Sequence, residues 1–321
     1  MWDGSTRLGG GFDHGFWMSQ LEIADLFGLT TFASQLTSSG ERRTLYNRAK
    51  EGALVRVHPG CYVNAAFWVG LSPASRHRAR AHLAASSGAN LEFSHLTAAA
   101  LWRLPVIGDW PRRAHVAGPA GLGSHLSATL ARHSLGHDPH AVTIDGLRVT
   151  SLEVTVAQVA AAEPFATGVV IADAALHAHR TLDLLPATLA VPLHHGRARA
   201  LAVARFADGD ADRPGESISR VSMLAAGLPK PELQVVIYGA SGKRYVVDFY
   251  WRHLRLMGEF DGEFKLTDPE YLRGRTPAKA ASDEKVREDD LRATKRGMSR
   301  WGWQLANSPV LLAQHLRLAG L

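Results

Sequence analysis

Residues 245–265, YVVDFYWRHLRLMGEFDGEFK, constrain this chain more than any other stretch. They read as two strands, 244–251 and 254–261, joined by a short polar turn. The first carries one carboxylate, Asp248, among Val, Phe, Tyr and Trp; the second ends in Glu259, Asp261, Glu263 and Lys265, every other residue. Alternate side chains of an extended chain share a face, so these groups can project to one side. A lone acid amid apolar strand residues, facing acids on its neighbour, is costly unless a cation sits between them. A divalent metal is the natural candidate.

At 321 residues the chain is long for one ordinary core, and two or three domains are expected. A hydrophobic content of 46% and a charged content of 21% are those of a globular soluble protein. The single cysteine, Cys61, excludes an internal disulfide and a thiolate zinc cluster, and fits a reducing cytoplasm. Residues 1–17 have no basic region followed by an apolar run, so they are expected to be a flexible leader rather than a secretory signal. The longest apolar tract, 154–176, contains Glu163, Pro164 and Asp173, which argues against a membrane span.

The net charge of +6 and pI near 9.7 favour polyanionic partners. Residues 41–80 hold eight basic side chains against two acidic ones, an excess as large as that of the whole chain. They lie in a local pattern of their own. Residues 19–27 have helical spacing closed by Gly28, a less regular helical stretch covers 31–36, and a third helix spans 41–51 with Leu45 and Ala49 inward. Residues 53–63 read as a hairpin around Pro59-Gly60. Helices followed by a basic helix and a two-stranded wing is the winged-helix order, expected over 18–85. The third helix would enter a DNA groove through Arg42, Arg43, Asn47 and Lys50, with Arg56 and His58 on the wing reaching the backbone. The bland reading is a solvated basic helix on a structural domain.

The middle, 90–205, reads as a mixed α/β scaffold. Residues 93–102 are an apolar helix ended by Pro105, and 141–150 a hairpin turning at Asp145-Gly146. Thr150-Ser-Leu-Glu153 has capping-box spacing ahead of an Ala/Val-rich helix. Histidines are numerous, but no pair has the carboxylates and spacing of a known metal motif. His137-x-x-His140 and His177-x-His179 are expected to be exposed or capping residues.

A polar run, 207–215, marks the next boundary, and the last domain is expected over 212–321. It reads as an amphipathic helix (216–226), a strand (233–238), the two strands above, a charged helix (282–295), a strand (300–305) carrying Trp301 and Trp303, and a terminal helix (309–318). A helix with Glu, a strand with Asp, a strand with Glu-x-acid, then helix and strand is similar to the PD-(D/E)xK nuclease core. Within that superfamily, GESISR, GLPKPELQV, VDFYW, GEFDGEFK and EKVREDDLRATKRGMSRWGW resemble the very-short-patch-repair-endonuclease-like domain, which actinobacterial proteins carry behind a winged-helix region. The N-terminal part more weakly resembles abortive-infection type antitoxins, DNA-binding autorepressors.

The resemblance implies a restriction-endonuclease-like α/β core in a multidomain α+β chain. It implies Asp248 as central metal ligand, Glu259 as the second, the carbonyl of Phe260 as a third, and Glu216 ligating directly or through a water, with Mg2+ (or Mn2+) as cofactor. The usual lysine, two residues after the strand acid, is here Asp261. Either Lys265 folds back to compensate, or Glu263-Phe264-Lys265 is itself the motif; Gly262 interrupts the strand, which favours Glu259 as ligand with Lys265 in support and Asp261 as an extra ligand or water-orienting group. Lys285 and Arg287 would lie near the scissile phosphate, or else belong to an exposed salt-bridged helix. The expected function is a cytoplasmic, metal-dependent endonuclease acting on DNA, with RNA open and a homodimer as one assembly. The rival is a non-enzymatic winged-helix regulator with a degenerate nuclease fold, for which a cognate toxin would be the partner.

Overall fold

The structure is a computed structural model and describes residues 23–88, 90–118, 125–134, 140–262, 274 and 276–321. Over these the chain is α+β, with helices and three β-sheets, and it divides into two compact units. One runs to Ile171 and includes Leu182–Arg205; the other comprises Ala172–Thr181 and Phe206–Leu321.

The first unit begins with α1 (Ile23–Gly28), β1 (Thr30–Phe32), a 3-10 turn over Ala33–Gln35, α2 (Ser39–Lys50), β2 (Leu54–His58) and β3 (Cys61–Asn64). Helix α2 starts at a full capping box: Glu41 N–H donates to the Ser38 hydroxyl, and the Glu41 carboxylate accepts from Ser38 N–H. The hairpin turns at Pro59-Gly60, where Gly60 has φ +77°, as its sequence suggests. The irregular helix expected over 31–36 is instead a short strand and a 3-10 turn. Thr30–Phe32 pair antiparallel with β3, giving a three-stranded sheet in the order β1-β3-β2. Helices α3 (Ala65–Gly70) and α4 (Pro73–Ala85) follow.

Helix α4 serves two cores. Ala79 and Leu83 pack with Leu26, Val63 and Trp68, while Ala81 and Ala84 pack with Phe93, Leu101, Val116 and Val149. The second core belongs to a six-stranded mixed sheet, β6-β7-β5-β4-β9-β8, built from β4 (Glu92–Phe93), β5 (Ala114–Gly118), β6 (His125–Leu126), β7 (Leu130–Ser134), β8 (Val142–Ile144) and β9 (Leu147–Val149). Phe93 is thus a strand residue, and helix α5 is confined to His95–Leu101. The β8–β9 hairpin turns at Asp145-Gly146, both with positive φ, a turn suited to the twist of the strands. Helix α6 (Leu152–Ala162) is capped by Ser151 rather than Thr150, whose hydroxyl bonds that of Thr155. Glu163-Pro164 separates it from α7 (Phe165–Ala178), and α8 (Leu184–Ala190) and α9 (Arg197–Phe206) follow. Among the described residues no helix is long and apolar enough to cross a membrane.

The second unit is organised on a four-stranded sheet, β10-β11-β12-β13. Its elements are α10 (Pro214–Ala225), β10 (Glu232–Tyr238), β11 (Arg244–Trp251), β12 (Leu256–Phe260), α11 (Pro277–Arg292), β13 (Gly297–Trp301), α12 (Trp303–Ala306) and α13 (Pro309–Leu318). The first three strands are antiparallel neighbours and β13 runs parallel to β12. Phe249, Trp251, Met257 and Leu291 are fully buried. The Asp173–Arg220 ion pair, 2.7 Å apart, is also fully buried, and Arg220 donates a second bond to the carbonyl of Phe206. The charged helix starts five residues before the expected Ser282, because Pro277 can occupy its first turn after the Thr276 cap. The last strand ends at Trp301. Trp303 opens α12, so the two indoles do not alternate on one strand: Trp301 is buried and donates to Ser219, and Trp303 packs edge-on against Phe260 at 4.7 Å.

Candidate functional site

Strand register brings the expected acids together. Phe249 pairs with Gly258, so Asp248 and Glu259 stand opposite each other on one face, with Asp261 two residues further along the same face. On the parallel neighbour Arg300 pairs with Glu259. Helix α11 adds Glu284, Arg287 and Glu288, which share a stripe at helical spacing. From the other side of the chain comes Glu216 at the start of α10, where Gly215 is required: a Cβ there would lie 2.1 Å from the Phe260 ring. The helix has no side-chain cap at Arg213, and Glu216 instead reaches back to accept from Asp212 N–H at 3.1 Å.

The acids form two subsets with different partners. Glu216 and Asp248 share an amide: Gln234 Nε2 lies 3.0 Å from Glu216 Oε2 and 3.5 Å from Asp248 Oδ1. Asp248 Oδ2 accepts from the Phe260 N–H at 2.9 Å, which brings the main chain of Phe260 to the carboxylate. Burial (Glu216 is 2% exposed), then the charge of Asp248, pushes the Glu216 carboxyl well above the usual carboxylate range.

Glu259, 3% exposed, is held otherwise. Both its oxygens accept from the Arg287 guanidinium, one at 2.8 Å, and Arg287 also donates to Glu284 and to the Val246 carbonyl. Burial opposes the Arg287 charge, but the hydrogen bonds and charge of Glu259, with Glu284 and Asp248 behind, hold its pKa above the ordinary arginine value. Asp261 is gripped by both sides of Arg300, at 2.6 and 2.8 Å, and this raises the Arg300 pKa. Arg300 also bonds Glu284 and Glu288, and Glu288 pairs with Arg292. Six carboxylates (Glu216, Asp248, Glu259, Asp261, Glu284, Glu288) thus stand with three guanidiniums (Arg287, Arg292, Arg300).

The donor chemistry suits a hard cation, but not at the expected pair. As arranged, Asp248 and Glu259 do not form a ligand pair, because Arg287 takes both Glu259 oxygens. Glu216 and Asp248 do offer two oxygen donors with no guanidinium bonded to Glu216, and a buried carboxyl with raised pKa is stabilised by a nearby cation. Among the described residues no group of three or more His, Cys, Asp or Glu side chains is arranged to hold a metal ion. Glu263 and Lys265 lie outside the described residues. Lys285 is exposed, whereas Arg287 is turned to Glu259 and is not an open phosphate contact.

In the first unit the basic helix presents Arg43, Asn47 and Lys50 on its outer face, three and four residues apart, opposite the buried Leu45. Tyr46, 54% exposed, lies beside them and packs edge-on with Tyr62. Arg42 instead donates to the Leu36 carbonyl, tying the helix to the chain before it. Arg56 is exposed on β2. His58 is a correction: only 9% exposed, its ring enters the core after a register irregularity between Arg56 and His58, and burial lowers its pKa.

Histidines cluster where no sequence motif marks them. His95 and His133 rings stack at 3.9 Å, and His133 Nε2 lies 3.3 Å from His115 Nδ1. His140 and His179 are exposed, and His177 contacts the Gly209 carbonyl and Asp212; His137 lies outside the described residues. The sequence also offered no direct signal for the pairing of Gln234 with Asp248, Arg287 with Glu259 or Arg300 with Asp261, since these contacts join residues 14, 28 and 39 positions apart.

No family model matches the chain. It is 41% identical over 92 residues to two uncharacterized proteins of Mycobacterium tuberculosis, one from each of two strains, a match that covers 27% of this chain and 34% of each relative. The chain therefore spans about a third of the length of the curated relatives it matches.

Proposed function

We propose that the second unit is a PD-(D/E)xK-type, divalent-cation-dependent nuclease core acting on DNA, and that the N-terminal elements form a winged helix that binds the duplex. The observation that carries this reading is the meeting of Glu216, Asp248 and Glu259 from α10, β11 and β12, on a sheet whose fourth strand runs parallel to the third. Glu216 and Asp248, with the main chain of Phe260, would hold Mg2+ or Mn2+. A cation so held supplies a water that is nucleophilic near neutral pH and charge beside the phosphate. Arg287 fixes Glu259 next to that pair, and Arg300 holds Asp261 where the superfamily's lysine is usual. Arg43, Asn47, Lys50 and Arg56 are the phosphate- and groove-facing groups of the winged helix. A cytoplasmic location belongs to the same reading.

The direct test is incubation of the purified chain with supercoiled and linear DNA, and separately with RNA, in Mg2+ or Mn2+. Metal-dependent nicking that Asp248→Ala abolishes is expected; equal cleavage by the variant removes the assignment.

A second reading has its own observation. Arg287 and Arg300 bond both oxygens of Glu259 and Asp261, as expected of a core kept for binding rather than cleavage. The chain would then be an antitoxin-like regulator that retains its own promoter DNA, yields no metal-dependent product, and pairs with a cognate toxin.

A further inference from the structure

Gln234 stands in the middle of β10 in a conformation a strand residue does not ordinarily adopt. Its neighbours pair regularly, Leu233 with Phe249 and Val235 with Val247, which puts Gln234 opposite Asp248. Its φ is +47°, in the left-handed region, although it is not a glycine and lies between β-forming residues. Such a conformation is strained and persists only where the surroundings over-determine it. A Leu, Val or Thr on a regular strand would pair without that strain.

The strained backbone accompanies a specific contact. The Gln234 amide lies between two carboxylates from different elements, 3.0 Å from Glu216 Oε2 and 3.5 Å from Asp248 Oδ1. Asp212 N–H donates to the same Glu216 oxygen, Oε2, and Phe260 N–H donates to the other Asp248 oxygen, Oδ2. A primary amide has two N–H donors and no charge. It can therefore orient two carboxylates at once without supplying the positive charge that would compete with a cation. A lysine at this place would neutralise the pair, and an aliphatic residue would leave the two acids with no shared donor between them.

We propose that Gln234 is a positioning residue that joins Glu216 and Asp248 into one cation-holding pair; the proposal rests on the nuclease-like reading, in which those two carboxylates are the ligands. Gln234 acts through the carboxylates and touches no reacting atom.

Mn2+ binding to the full-length chain, followed by calorimetry, tests it with four proteins: the parent, Asp248→Asn, Gln234→Leu and Gln234→Gly. Leucine keeps the bulk and removes the donors, while glycine removes the donors and relieves the backbone strain. Gln234→Leu and Gln234→Gly are each expected to weaken Mn2+ binding about 10- to 100-fold, the range for removing a group that orients a metal ligand. Gln234→Gly should at the same time keep the parent's circular dichroism spectrum and urea midpoint, which separates lost positioning from lost folding. If Gln234→Gly binds Mn2+ as tightly as the parent while Asp248→Asn does not bind, the amide has no positioning role and the proposal is overturned. If the parent and Asp248→Asn behave alike, the ligand reading itself fails and the proposal falls with it.

Discussion

Arg287 holds both carboxylate oxygens of Glu259, joining α11 to β12 across 28 residues of sequence. Glu259 is buried, and that guanidinium is its charge partner. Removing Arg287 as Arg287→Met leaves an unpaired buried carboxylate. Unfolding in urea should show a loss of about 2–4 kcal/mol, near the lower end for broken buried pairs because the Arg287 side chain is one-fifth exposed. The double variant Arg287→Met/Glu259→Gln should recover part of the loss; a double variant less stable than Arg287→Met alone would contradict the pairing.

The outer face of α2 gives a prediction about salt. Arg43→Ala/Lys50→Ala should weaken duplex binding and lower the slope of log K against log salt by about 2, one phosphate contact for each residue removed. Arg42→Ala should change that slope far less, because Arg42 is bonded to the Leu36 carbonyl, and should instead lower the thermal midpoint. Fluorescence anisotropy across a salt series distinguishes the two.

The histidine cluster makes the first unit acid-sensitive. Burial, then neighbouring imidazoles, brings His115 down to about 4 and His77 to about 3, and pushes His95 well below its usual value. Between those values and about 6.5 the unfolded chain binds protons that the folded chain does not, so stability rises with pH across that window and is fully present above it. His115 alone should contribute on the order of 3 kcal/mol at neutral pH that is lost on acidification. Urea midpoints from pH 7 to pH 4.5 should fall, and fall less steeply in His95→Asn, since asparagine accepts the φ of +50° at that position. Equal slopes in both proteins would mean that His95 takes no part in the acid response.

Asp173 and Arg220 bond at 2.7 Å with both side chains fully buried. Arg220→Met alone should destabilise the second unit by about 3–5 kcal/mol, and Arg220→Met/Asp173→Leu by distinctly less, because the cost lies in the stranded charge. Denaturant unfolding of the single and double variants measures the difference.

What the sequence made legible was local. Alternation in VVDFYW, the Pro59-Gly60 and Asp145-Gly146 turns, and the order of elements after residue 212 are short-range patterns, and each appears in the structure. Thr31 and Phe32, expected in an irregular helix over 31–36, carry no strand period over so short a run, and only pairing with Cys61–Val63 makes Thr30–Phe32 a strand. His58 followed strand alternation on paper, but a register irregularity turned it inward. The acids of the site were visible because carboxylates on apolar strands are conspicuous. Their partners were not: Gln234 and Arg300 are ordinary residues in their own segments, and Arg287, expected at a phosphate, instead bonds Glu259; these contacts lie 14 to 39 positions away.

In the proposed function, Glu216 and Asp248 hold a cation that lets this chain cut DNA. Supercoiled plasmid incubated with the purified chain in Mn2+, with and without EDTA, beside Asp248→Ala and Glu216→Gln, measures it most directly. Nicked and linear products with the parent in Mn2+ alone, and their loss in both variants, are the predicted result. Plasmid bound by the parent but left intact in every metal, or cut equally by Asp248→Ala, would contradict it.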